Sequence, residues 1–391
     1  MKINSKILGI VVLSTVFGLA SGLVATLLTR VYILEESYNI PFYGEINLAG
    51  SGYAGSNLVI TNPKKVVVEQ DAKVAETVKA SEDIIVGIYK KKNTEDQTDF
   101  DLANYYYADQ EIGQGAVITS DGWIISNYVP QELKNLPGAN VSTKSQEKLF
   151  DDYVVITKNK KIYPVDNILV EKDAAYAFWH ITENSLSVKN FVSRTDMASG
   201  KTLVGVDWEK QVVLSSILKL EKKNQEIVRN SDDLIDKVIM TEKIDKNFDN
   251  GFFFDLNGNL AGMVNAEGDI VPIYSYLPCI KCLLIEKTIK YPSLGVNYVN
   301  THDLIGTDSN QNYKGALIAK NSAGLALKAG GVAEKAGFQA GDLILSINGI
   351  KIDENNDLSA LVGSYAVGDA ILIEFERNGQ KFSVSVKLEE L

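Results

Sequence analysis

Short β-prone runs divided by Asx-Gly pairs are the pattern that most narrows the folds open to this chain. Asp121-Gly122, Asn257-Gly258, Asn348-Gly349 and Asn378-Gly379 each lie between two such runs. These dipeptides suit tight hairpins because they adopt positive φ at low cost. Ile84-Ile-Val-Gly-Ile-Tyr89, Gly115-Ala-Val-Ile-Thr119, Trp123-Ile-Ile-Ser126, Tyr153-Val-Val-Ile-Thr157 and Gln211-Val-Val-Leu214 read as strands, as do Phe252–Asp255 and Leu260–Val264. Many short strands at close intervals, with few long helical patterns, predict β-barrels or sandwiches. A helical stretch over Pro278–Lys290 closes this unit, and a second unit starts near Tyr291. The second mixes strands with two short helical candidates and is the size of one small α+β domain. Two folded units plus extras suit a length of 391 residues.

Ile7 to Thr29 carry no charge, Lys2 and Lys6 precede them, and Arg30, Glu35 and Glu36 follow. About 20 apolar residues span a bilayer as a helix. The flanking lysines place the N-terminus in the cytoplasm and the bulk of the chain outside it. A cleaved signal peptide is the alternative, but the apolar stretch exceeds a usual signal core and no Ala-x-Ala-like site follows. Residues 31–65 are rich in Gly, Ser, Asn and Tyr, a composition that suits a tether. The expected organisation is therefore a cytoplasmic N-terminus (1–6), a transmembrane anchor (7–29), a flexible linker (30–80), a β-barrel unit (81–288) and an α+β unit (289–391).

A net charge of −11 without a visible basic cluster argues against nucleic acid as a partner. The chain has two cysteines, Cys279 and Cys282, and two histidines, His180 and His302. A Zn site needs about four such ligands, or three and water, at suitable spacing. No metal and no cofactor is expected. The Cys-x-x-Cys pair falls in the apolar-periodic helix and reads as two small buried side chains, a redox pair or local disulfide being the alternative. His180 and His302 read as surface or core-edge histidines, and no Gly-x-Ser-x-Gly elbow is present.

Three stretches follow in order: Gly113-Gln-Gly-Ala-Val-Ile-Thr-Ser-Asp-Gly-Trp-Ile-Ile-Ser-Asn127, Asp173-Ala-Ala-Tyr-Ala-Phe-Trp-His-Ile181 and Asn247-Phe-Asp-Asn-Gly-Phe-Phe-Phe-Asp-Leu-Asn-Gly258. Together they resemble the HtrA/DegP family of serine proteases. The first is similar to the hairpin that leads into the family's catalytic histidine, the second to the segment bearing its aspartate, and the third to the segment around its serine. The resemblance implies a trypsin-like double β-barrel, yet all three catalytic positions depart from the pattern. The histidine position falls on Tyr128 or Val129, the aspartate position on Ala175 with Asp173 two residues away, and the serine position on Asp249. A glycine of the oxyanion hole aligns with Asn247, and the following Gly-Gly becomes Asn250-Gly251. Acyl transfer needs a hydroxyl or thiol within reach of a base held by a third group. An aspartate at the serine position would also oppose the developing oxyanion.

Val332-Ala-Glu-Lys-Ala-Gly-Phe-Gln-Ala-Gly-Asp-Leu-Ile-Leu-Ser-Ile-Asn-Gly349 closely resembles the core of HtrA-type PDZ domains. That resemblance implies β-augmentation, in which a peptide C-terminus adds as a strand and backbone N–H groups hold its carboxylate. The carboxylate loop then falls on Ser293, Leu294, Gly295 and Val296, and Leu358, Leu361 and Val362 line the apolar pocket or serve as ordinary core. Gly324–Gly331 is an apparent insertion near the groove. The fold class expected is mostly β: an N-terminal transmembrane helix, a chymotrypsin/trypsin-like double barrel, and an α+β PDZ domain. The function expected is a membrane-anchored, extracytoplasmic pseudoprotease that binds protein C-termini or unfolded polypeptides in envelope quality control. The alternatives are an active serine endopeptidase with a non-standard site and a structural subunit of a mixed trimer, since the resembled family commonly forms trimers and this chain is open to a homo- or hetero-trimer.

Overall fold

The computed structural model describes residues 5–28, 38–40, 44–46, 63–92, 102–134, 149–171, 175–222, 226–234, 236–242, 244–245, 248, 250–265, 267–304, 314–353 and 356–391. The chain divides into two compact units, 1–63 and 64–391. The first contains helix α1 (Ser5–Leu28) and a hairpin of β1 (Tyr38–Ile40) and β2 (Gly44–Ile46). Counting only described residues, no helix is long and apolar enough to cross a membrane. The described large apolar side chains of α1, namely Leu13, Val16, Phe17, Leu19 and Val24, are all exposed.

The second unit opens with helix α2 (Pro63–Ser81), which corrects the expected linker at 30–80. Val74 and Val78 lie one turn apart and pack against the first barrel's core, and Thr77 and Ser81 are buried beside them. This i, i+4 stripe gives the segment a face to bury despite its many lysines and glutamates.

Six strands close the first barrel: β3 (Ile85–Lys90), β4 (Gly113–Val117), β5 (Trp123–Ser126), β6 (Tyr153–Thr157), β7 (Ile162–Val170) and β8 (Ala177–Ile181). The second barrel contains β9 (Thr202–Val206), β10 (Val212–Lys222), β12 (Asp236–Met240), β13 (Phe252–Asp255), β14 (Leu260–Val264) and β15 (Ile270–Pro272). A short strand, β11 (Arg229–Asn230), leaves this barrel between β10 and β12 and joins a different sheet. Closure removes the unpaired edges that open sheets expose. The Asx-Gly turns fall where expected: Gly122 (φ 111°) and Gly258 (φ 77°) complete the β4–β5 and β13–β14 hairpins.

Helix α3 (Gln131–Lys134) follows β5, and α4 (Leu277–Glu286) follows the second barrel. Helix α4 stops short of the expected Lys290 because Lys287 turns into the left-handed region (φ 55°) and caps it. Cys279 and Cys282 are buried and unbridged on this helix, and burial pushes the Cys279 thiol up to about 12.

The last quarter of the chain forms an α+β domain. Its sheet runs β11, β17 (Asn297–Asn300), β18 (Ala316–Ile318), β19 (Leu343–Ile347), β21 (Ala370–Arg377), β22 (Gln380–Lys387), with β20 (Ile350–Lys351) beside β19. A two-stranded clip pairs β16 (Pro292–Ser293) with β23 (Glu389–Glu390). Helices α5 (Val332–Lys335) and α6 (Leu358–Val362) complete the domain. Ile371, Ile373 and Phe375 alternate inward along β21 with exposed neighbours between them, the period expected of a half-buried strand.

Candidate functional sites: the inter-barrel cleft and the PDZ groove

Strand β5 ends at Ser126, whose Oγ donates to the Gln114 carbonyl (2.5 Å) and accepts from Tyr128 N–H (3.0 Å). Asn127 then reaches across to the second barrel, its Nδ2 donating to the Val264 carbonyl at 2.5 Å. The half-buried Tyr128 ring stacks on Trp179 at 6.0 Å, and the indole Nε1 donates to the Tyr128 carbonyl at 3.4 Å. Gly113 makes room for it, since a Cβ there would lie 2.4 Å from Tyr128 Cβ. Burial pushes the Tyr128 phenol up to about 12, with the neighbouring Tyr153 adding to it. A phenol held that high is protonated at neutral pH, so it cannot act as the general base. Val129 is buried and Ala175 is exposed ahead of β8. Asp249, Asn247 and Asp173 lie outside the described residues. Beside position 249, Phe248 is buried edge-on against Phe253, and Asn250 adopts φ 66°.

The histidines are occupied elsewhere. His180 Nδ1 is 2.5 Å from Asp166 Oδ1, whose other oxygen accepts from Thr182 Oγ1. His302 Nε2 is 3.3 Å from the Ile352 carbonyl, in a cavity of about 600 Å³ on the α+β domain that also touches Lys314, Ser346 and Glu374. Among the described residues no group of three or more His, Cys, Asp or Glu side chains could hold a metal ion.

Both barrels line a cavity of about 240 Å³ in the cleft, with Glu111, Gly113 and Gln114 on one side and Asp207, Trp208 and Asn250 on the other. Sequence reasoning missed this acidic patch, because its members are far apart in the chain and share no motif. Burial raises the carboxyl pKa of both Glu111 and Asp207, and the charge of Glu209 adds to each. Burial lowers Lys158 to about 8, with Lys210 reinforcing it, and its Nζ sits 4.2 Å above the Trp208 ring.

Glu111 Oε2 is buried without a hydrogen-bond partner. A carboxyl whose folded pKa is raised is penalised when ionised, and the penalty is relieved as pH falls through that pKa. We expect Glu111→Gln to stabilise the fold at pH 7 by about 1 kcal/mol. Below pH ~4 the advantage should vanish, as the unfolded glutamate is also protonated there. Urea titrations of both proteins at pH 7 and pH 4 check this.

In the α+β domain, Leu294, Val296, Leu358, Leu361 and Val362 are buried in one core cluster. The groove between β17 and α6 is filled by the chain itself. Strand β11 pairs antiparallel with β17, Arg229 opposite Tyr298 and Asn230 opposite Asn297. Ser231 N–H donates to the Val296 carbonyl (2.8 Å), and Ser231 Oγ accepts from Val296 N–H (2.9 Å). Asp232 accepts from Ser293 Oγ (2.6 Å), Leu294 N–H (2.9 Å) and Gly295 N–H (3.0 Å). Leu234 is 7% exposed and belongs to the same apolar cluster. Arg229 bonds Asp303 (2.7 Å) and lies 3.5 Å from Asp357, the buried residue ahead of α6 that accepts from Tyr298 Oη at 2.8 Å. Loop Gly324–Gly331 backs this site: Asn297 N–H donates to the Ala326 carbonyl and Lys328 N–H to the Gly295 carbonyl.

Residues 292–388 match the PDZ domain family. The chain is 22% identical over 235 residues to a Serine protease Do-like HtrA of Bacillus subtilis (strain 168), covering 54% of this chain and 50% of that protein. It is 32% identical over 149 residues to a probable periplasmic serine endoprotease DegP-like of Bartonella henselae, covering 35% and 28%. The chain thus spans half or less of the length of these curated relatives. A solved structure titled HtrA-type protease AlgW with tripeptide is similar at a TM-score of 0.49 and 15% identity, covering 81% of this chain and 97% of that one. Two closed six-stranded barrels are followed by a PDZ domain at residues 292–388, and over part of its length the chain is similar to HtrA/DegP-type serine proteases.

Proposed function

We propose that the chain is a membrane-anchored, extracytoplasmic pseudoprotease that recognises protein C-termini or unfolded segments through its PDZ domain, in a regulatory or scaffold role. The observation that carries this reading is Tyr128, stacked on Trp179 with its phenol protonated, at one of the two positions, Tyr128 or Val129, where the family resemblance places a catalytic histidine. Position 249 holds aspartate where that resemblance places serine. Neither histidine of the chain is among the residues lining the cleft cavity. A nucleophile without a base, or a base without a nucleophile, leaves acyl transfer without its first step.

The anchor is supported by α1. Its sequence from Ile7 to Leu28 is uncharged, and its described large apolar side chains Leu13, Val16, Phe17, Leu19 and Val24 are exposed. Recognition is supported by the PDZ match and by the backbone N–H groups of Leu294 and Gly295, which converge on a carboxylate. We expect a fluorophosphonate probe to leave every serine unlabelled in the intact chain and casein to remain uncut. Specific labelling of any serine, abolished by its replacement with alanine, would sink the proposal.

A further inference from the structure

We propose that the PDZ groove already holds a ligand, the chain's own Arg229–Leu234 segment, with the Asp232 carboxylate standing where a peptide's terminal carboxylate would stand. An external C-terminus then binds only by displacing this segment. The inference deepens the recognition reading above and rests on it for the identity of the external ligand.

Polarity, register and chemistry agree on this point. Arg229 and Asn230 pair antiparallel with Tyr298 and Asn297, and the segment runs toward the carboxylate loop, as an added C-terminal strand does. Its Asp232 side chain receives the N–H groups of Leu294 and Gly295 together with the Ser293 hydroxyl, so one carboxylate answers three donors of that loop. Leu234, two residues on, is buried with Leu294, Leu358, Leu361 and Val362, in the pocket expected to take a terminal apolar side chain. An ideal Cβ on Gly363 would come within 3.3 Å of Leu234 Cδ2, so the pocket is closed around it. Asp232 N–H donates to Asn230 Oδ1 at 2.8 Å, a local turn that aims the carboxylate without requiring a chain end. Arg229 fixes the far end against Asp303 and Asp357.

The ligand class follows. The groove accepts an internal strand of the form Arg-Asn-Ser-Asp-x-Leu, in which an acidic side chain replaces the terminus. The segment is tethered at both ends, between β10 and β12, so its effective concentration at the groove is in the millimolar range. A free peptide meets the groove only in the fraction of molecules that have released the segment, and its apparent affinity falls by that fraction.

The test uses the full chain, wild type and Asp232→Ala, with two probes. One is a fluorescein-labelled peptide of residues 227–235, amidated at its C-terminus. The other is a pool of random heptapeptides with free C-terminal carboxylates. We expect the Asp232→Ala chain to bind the amidated peptide at least about tenfold more tightly than wild type does. The same peptide with alanine in place of its Asp232 should lose that binding. Hydrogen exchange should quicken at Leu294, Gly295 and Val296 in Asp232→Ala while barrel amides stay unchanged, which shows that the variant folds. Equal binding of the amidated peptide by both chains, or by neither, overturns the inference. Free-carboxyl peptides bound equally by both chains also overturn it, while leaving the recognition reading intact. If the variant takes the amidated peptide and no member of the free-carboxyl pool, the inference stands and recognition of C-termini falls.

Discussion

Gly122→Ala is expected to cost the first barrel more than about 3 kcal/mol. Gly122 adopts φ 111°, outside the range L side chains favour, and a Cβ there would lie 1.9 Å from the Ile181 carbonyl oxygen. That oxygen is backbone and cannot swing aside as a side chain would. The neighbouring Ile181 N–H donates to the Gly122 carbonyl at 3.1 Å, so relief of the overlap would pull β5 from β8. Amide exchange should therefore rise throughout β4, β5 and β8, with the PDZ core keeping its wild-type protection. Uniform loss across all three cores, or none at all, would contradict the account.

Trp179→Ala ranks next, with an expected loss of about 3–5 kcal/mol. The indole is fully buried, meets Tyr153 edge-on at 5.3 Å and carries Tyr128 on its face. Removing it opens a cavity beneath the cleft and takes away the surface on which the Tyr128 ring rests. Trp179→Phe retains part of that surface and should lose less than half as much. Denaturant titrations followed by hydrogen exchange in β5 and β8 distinguish the two. If alanine and phenylalanine cost the same, packing beneath Tyr128 is not what holds this part of the barrel.

The Asx-Gly turns and β-branched runs made the strands legible, because hairpins are written in neighbouring residues. The PDZ unit was legible for the same reason: Val332–Gly349 carries its helix, turn and strand in one stretch. The sequence puts Tyr128 or Val129 where the resembled family has its histidine, and only the structure shows the Tyr128 ring lying on Trp179. Helix α2 was missed because Val74 and Val78 are diluted by charged neighbours, and their stripe matters only against the barrel they cover. Strand β11 could not be seen at all. Lys222-Lys-Asn-Gln-Glu226 followed by Arg229-Asn-Ser-Asp-Asp233 reads as a solvated loop, and its strand character comes from β17, more than sixty residues later. The acidic cavity was hidden likewise, since Glu111 and Asp207 meet only when two barrels close side by side.

Helix α4 has a chemical consequence of its own. Cys279 is sealed in the barrels' shared core beside the Tyr176–Tyr291 hydroxyl pair, whose oxygens are 2.6 Å apart, and Cys282 is buried on the same helix. A thiol so deep and so firmly protonated reacts through neither the native surface nor the thiolate form. Its two thiols are therefore shielded from oxidants without a disulfide, and they become oxidisable when the fold itself gives way.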